Sequence, residues 1–174
     1  MGNIARLLGG LALTLLLLAG AGRHVQAQTF APSFRLYGDV GTPKVYTYHK
    51  LAELPSTKLD VFYDTGAGPV SASYTGVLLW DLLTAANVLT DPSVKNDVLR
   101  KEVIVTGSDG YVSVFSLGEL DPMFGGQQVI VAYASSGEPL TGSDGFASII
   151  VPGDKAGGRY VHAVTSIKVT ASAP

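Results

Sequence analysis

Only one stretch of this chain carries a helical repeat. Between Thr75 and Leu89, the residues Leu79, Leu82, Leu83 and Ala86 recur at helical spacing, and Asp91-Pro92 ends the run. Elsewhere 21 glycines and 9 prolines punctuate short runs rich in β-branched and aromatic residues, a pattern of strands separated by turns. Strands are expected over Phe34–Val40, Val45–Tyr48, Lys58–Tyr63, Glu102–Thr106, Tyr111–Ser116, Gln128–Tyr133, Phe146–Val151 and Tyr160–Thr170. His49–Leu54 reads as a helical turn stopped by Pro55, and Gly66–Pro69 as a turn or loop. The expected class is α+β, strand-rich, with one main helix and several short helical turns.

The N-terminus stands apart. Arg6 precedes an apolar run from Leu7 to Ala21, and Val25-Gln-Ala27 has the small-residue pattern of a signal-peptidase site. A membrane anchor is the competing reading, but Gly9, Gly10, Gly20 and Gly22 weaken a run already short for a span. Residues 1–27 are therefore expected to be a signal peptide and 28–174 one domain, periplasmic or secreted, with no direct membrane binding after cleavage.

Loss of Arg6 and Arg23 leaves ten basic residues against 14 acidic ones. A net acidic domain lacks the basic footprint that nucleic acid requires. The chain has no cysteine, so neither disulfides nor a lipidated thiol can hold or anchor it. A domain of this length can bury enough surface to fold on its core alone.

Thr106-Gly-Ser-Asp-Gly-Tyr111 is echoed by Thr141-Gly-Ser-Asp-Gly-Phe146. There is no third copy, so two Asp-Gly turns leading into strands are expected rather than a solenoid. Motifs for autonomous chemistry are absent. His49 and His162 are the only histidines past the signal segment, without zinc-ligand or EF-hand spacing. No serine lies in a Gly-x-Ser-x-Gly elbow, and neither Gly125-Gly126 nor Gly157-Gly158 has phosphate-loop context. No metal ligand set and no catalytic residue is assigned. The richest polar loop is Pro152 to His162, which collects Asp154, Lys155, Arg159 and His162, and loops between strands commonly carry binding groups. An exposed ion-pair network of little energetic weight is the alternative for Asp154, Lys155 and Arg159.

Three stretches resemble the molybdopterin-binding domain of sulfite-oxidase-type oxidoreductases. They are Tyr74-Thr-Gly-Val-Leu-Leu-Trp-Asp-Leu-Leu83, Ser108-Asp-Gly-Tyr111, and Gly145 through Lys168 with its Pro152-Gly-Asp-Lys-Ala-Gly-Gly-Arg-Tyr-Val-His162 segment. The resemblance implies that fold, and it implies that Arg159 and His162 occupy positions whose basic side chains meet the cofactor's pterin and phosphate. It places Asp109 and Tyr111 near the cofactor, with Asp144 and Phe146 offering similar groups and Phe146 better suited to core packing. In the family a cysteine thiolate binds molybdenum, since soft sulfur suits the metal. Here its place falls near Tyr63, Asp64 or Thr65, none of which can replace it, although Tyr63 and Asp64 could line the vacated pocket. Where relatives often carry Pro-Leu-Arg, this chain has Phe146-Ala147-Ser148.

The resemblance therefore implies a small exported member lacking the molybdenum-ligating cysteine. Ala5-Arg6-Leu7 lacks the arginine pair of a signal for folded, cofactor-loaded export. The expected ligand-binding residues are Tyr63, Asp64, Asp109, Tyr111, Asp154, Lys155, Arg159 and His162. The expected function is non-catalytic binding of a pterin, molybdopterin-like or related heterocycle, with the periplasmic domain of a membrane signalling receptor as partner. Two alternatives stand beside it: a molybdopterin-dependent oxidoreductase, and an adaptor whose cleft is filled by Tyr63, Tyr111 or Tyr160.

Overall fold

The structure, a computed structural model, describes residues 33–171, so the expected signal peptide lies outside the described residues. Among the described residues ten strands form two sheets. In the first, β1 (Ser33–Gly38), β2 (Lys44–Thr47), β5 (Lys101–Gly107), β6 (Val112–Ser116) and β10 (Val164–Ala171) lie in the order β2-β1-β10-β5-β6. The β1–β10 pair is parallel and its neighbours antiparallel. In the second sheet, β3 (Thr57–Thr65), β4 (Gly68–Leu78), β7 (Ile130–Ser135) and the two-residue β8 (Glu138–Pro139) run in that order, with β9 (Ser148–Ile150) also paired to β7. Short helices α1 (Tyr48–Ala52), α2 (Leu79–Ala85) and α3 (Leu117–Leu120) connect them.

Side-chain alternation explains the layering. Along β5, Lys101, Val103 and Val105 turn inward while Glu102, Ile104 and Thr106 are partly exposed, as expected of a strand with one face on the core. Strand β1 contributes Phe34 and Leu36, β10 Ile167 and Val169, and β9 is buried throughout. These side chains join Leu79, Leu82 and Leu83 of α2 in one apolar cluster. Phe146 packs on it, its ring 6.0 Å from that of Phe34, and Trp80 is also packed against it.

Three expectations need correction. Residues 75–78 finish the eleven-residue strand β4 rather than opening the helix. At Gly76 a Cβ would fall 2.4 Å from the Val131 carbonyl oxygen, so glycine lets β4 close against β7 at a register shift between Thr75 and Gly76. The helix also ends early: Ala86 caps it and Asn87 takes a left-handed conformation, φ 56°. Finally, the last strand begins at Val164, because Gly157–Arg159 forms a 3₁₀ turn and Ala163 has φ 46°.

The echoed motif makes two different turns. Its first copy closes the β5–β6 hairpin, where Gly107 N–H donates to Tyr111 and the Asp109 carboxylate accepts the Tyr111 N–H at 2.9 Å. Its second copy is a 3₁₀ turn over Gly142–Asp144.

Candidate functional site

The end of β3 and the loop before β10 enclose a cavity of about 480 Å³, lined by Tyr63, Asp64, Thr65, Gly66, Ala156, Gly157, Gly158, Tyr160 and His162. That size suits a small molecule. A second hollow of about 290 Å³ adjoins it, sharing Gly157, Tyr160 and His162 and adding Asp109 and Tyr111. Strand alternation places the floor: Val61 and Tyr63 face inward while Phe62 faces out. Backbone pairing then brings the loop over it, with Asp64 N–H donating to the Lys155 carbonyl at 2.9 Å.

Two buried tyrosines form the aromatic surface. The rings of Tyr63 and Tyr160 lie 4.4 Å apart and tilted by 43°, and the Tyr160 hydroxyl donates to the Val151 carbonyl at 3.1 Å. Burial pushes the Tyr160 phenol up to about 12, with Tyr63 and Asp154 adding to the shift. Burial likewise raises Tyr74, whose hydroxyl meets that of Tyr63 at 3.5 Å. Both phenols stay neutral at physiological pH, as hydrogen-bonding rather than charged groups. Gly157 is a spatial requirement here, since a Cβ would sit 2.9 Å from Tyr63 Cε2. The tyrosines line an open cavity and do not fill it. Tyr111, 48% exposed, lines the smaller hollow and donates its hydroxyl to the carbonyl of Gly158, which lines the main cavity.

His162 is exposed at the cavity wall, its Nδ1 2.8 Å from a carboxylate oxygen of Asp144. Arg159 lies on the same loop but turns elsewhere. Its guanidinium forks onto Asp154 at 2.8 and 2.7 Å, meets Glu119 at 2.6 Å, and sits 5.5 Å from the Phe115 ring centre. The bonds to Asp154, and then Glu119, outweigh burial and raise its pKa further, so it is permanently charged.

The structure thus gathers Tyr63, Asp64 and His162 around the main cavity and Asp109 and Tyr111 around its neighbour. Asp154, Lys155 and Arg159 line neither. Sequence reasoning passed over Gly66, Ala156, Gly157 and Gly158 as lining residues and Glu119 as a partner; it named Thr65 only as a place for the lost cysteine, and Asp144 as a ligand-facing group rather than as the partner of His162. The paired glycines after Ala156 were the one local signal of a loop lying against an aromatic face.

With this geometry in view, residues 22–174 match the oxidoreductase molybdopterin binding domain family. The chain belongs to that family. The fold of this molybdopterin-binding-type domain is also similar to the sulfane dehydrogenase SoxCD from Paracoccus pantotrophus, with a TM-score of 0.64 and 23% identity. That match covers 79% of this chain but 37% of the other, and it is a likeness of fold. No curated protein matches the chain.

The family's cofactor can be tested against the residues present. The chain has no cysteine to supply a thiolate, and among the described residues no cluster of three or more His, Asp or Glu side chains is placed to hold a metal ion. The thiolate that the family offers to molybdenum is therefore missing from this chain. The cavity's tyrosine face and flanking carboxylates offer the stacking and acceptor groups that a flat heterocycle uses.

Proposed function

We propose that this chain is an exported, non-catalytic protein that binds a pterin or related small heterocycle and acts as the ligand-binding partner of a membrane signalling receptor. The observation that carries this reading is the cavity between Tyr63, Tyr160 and His162, in a chain of this family with no thiolate to offer a metal. In this reading Tyr63 and Tyr160 provide the apolar face. Asp64 and Asp109 accept from the ligand's amino edge, and Tyr111 and His162 close the rim. The ion pairs of Arg159 with Asp154 and Glu119 hold the loop in place, and Lys155 contributes through its carbonyl to Asp64.

Titration calorimetry of the secreted protein against oxidised and reduced pterins tests this, with a single-site isotherm as the expected result. Absence of heat across the whole panel defeats it. The export proposal predicts a mature N-terminus at Gln28, read by N-terminal sequencing.

Family membership itself favours a second reading, a molybdopterin-dependent oxidoreductase. That reading requires stoichiometric molybdenum in protein isolated from its native host, and metal analysis decides it.

A further inference from the structure

The family's cofactor carries a phosphate, and this pocket is poorly disposed to receive one. Two carboxylates, Asp64 and Asp109, line the paired hollows, and His162 is their one basic lining group. His162 already faces Asp144 at 2.8 Å. Arg159, the cation best suited to a phosphate by its fork of donors, is held by Asp154 and Glu119 at 2.6–2.8 Å.

The echoed motif builds this arrangement. Ser108 N–H of the first copy donates to the Ala163 carbonyl at 3.0 Å, and Ala163 N–H donates to the Asp144 carbonyl of the second at 2.9 Å. A Cβ at Gly107 would lie 2.7 Å from the His162 carbonyl oxygen, and one at Gly145 would lie 2.8 Å from Ala163 Cα. The two turns thus grip residues 162 and 163 between them. The same aspartate of each copy is brought to His162: Asp109 shares its hollow and Asp144 pairs with its ring.

We propose that the pocket selects an unphosphorylated heterocycle, neutral or cationic at the edge it presents, and rejects a phosphate-bearing one. This rests on the reading of the cavity as a pterin-type site and names the ligand class that site takes. A phosphate brought into these hollows meets repulsion from both carboxylates even in water, and the expected effect is about tenfold or more in Kd.

Calorimetry at low ionic strength with 6-hydroxymethylpterin and its phosphate ester reads the difference. The expected result is tighter binding of the unphosphorylated compound by about tenfold or more, with the gap shrinking as salt is raised. The double variant Asp64→Asn/Asp109→Asn, in which the amide at 109 can still accept the Tyr111 N–H, should narrow the gap. Equal or tighter binding of the ester, or an unchanged ratio in the double variant, overturns the selectivity while leaving the pterin site standing. Binding of neither compound overturns both.

Discussion

Adjacent glycines in the loop offer a matched pair of perturbations. A methyl group at Gly157 would press 2.9 Å from Cε2 and 3.0 Å from Cδ2 of Tyr63, whereas one at Gly158 meets nothing within 4 Å. Tyr63 is 6% exposed and backed by Tyr160, so it has little room to retreat. Overpacking of this kind costs about 1–3 kcal/mol. Replacing a glycine by alanine also returns about 0.4–1 kcal/mol by restricting the unfolded chain. Gly157→Ala should therefore lose up to about 2.6 kcal/mol, with about 1.3 kcal/mol as the central value, and Gly158→Ala should gain about 0.4–1 kcal/mol. For a domain of this size, each 1 kcal/mol moves Tm by about 2–4 °C. Thermal unfolding followed by far-UV circular dichroism reads both, and the near-UV tyrosine signal should change in Gly157→Ala alone. Equal Tm values for the two variants would refute the claim that Gly157 exists to admit the Tyr63 ring. In the binding assay, Gly157→Ala should weaken pterin affinity and Gly158→Ala leave it nearly intact.

Alkaline titration checks the buried phenols. Tyr160 and Tyr74 ionise more easily in the unfolded chain than in the folded one, so their contribution is complete below pH 10 and is lost as pH rises from there, through about 12 for Tyr160 and at still higher pH for Tyr74. Phenolate absorbance in which every tyrosine titrates at its ordinary value would contradict this. Gly76→Ala forces a Cβ to within 2.4 Å of the Val131 carbonyl oxygen and 2.6 Å of Ala132 Cα. Neither backbone atom can yield cheaply, so a loss of at least about 3 kcal/mol is expected in urea unfolding. Arg159→Lys removes the fork onto Asp154. With side-chain exposure of 35% the stability loss should stay at about 1 kcal/mol or less, while amides of the 155–159 loop exchange faster with deuterium.

Much of the strand pattern was legible because alternation is a local property. Val103 and Val105 of β5, or Phe34 and Leu36 of β1, mark their inward face within a few residues. Strand β4 was hidden because Val70-Ser-Ala-Ser-Tyr-Thr lacks a run of large apolar residues, and Gly76 makes sense only against the backbone of β7. The helix was recognised by Leu79, Leu82 and Leu83, but its start depends on Leu79 N–H donating to the Val129 carbonyl fifty residues along the chain.

The candidate site divides along the same line. The family resemblance at the third strand, the Asp-Gly turn and the closing loop pointed to Tyr63, Asp64, Asp109, Tyr111 and His162, which the fold brings to the two hollows, and also to Asp154, Lys155 and Arg159, which it does not. Of the partners of Arg159, Asp154 was legible as an ion-pair neighbour on the same loop, but Glu119 was not, since it lies forty residues away and reaches Arg159 only through α3.

By itself the sequence determined the class of fold, through local periodicity and turn chemistry, and it excluded a protein thiolate from any metal site, because composition is independent of conformation. Tertiary structure alone decided where charge goes: which carboxylates face the cavity, and which ones hold Arg159 away from it. Electrostatic interactions depend on distance in space, and residues 64, 109, 144 and 162 become neighbours only when both sheets have closed.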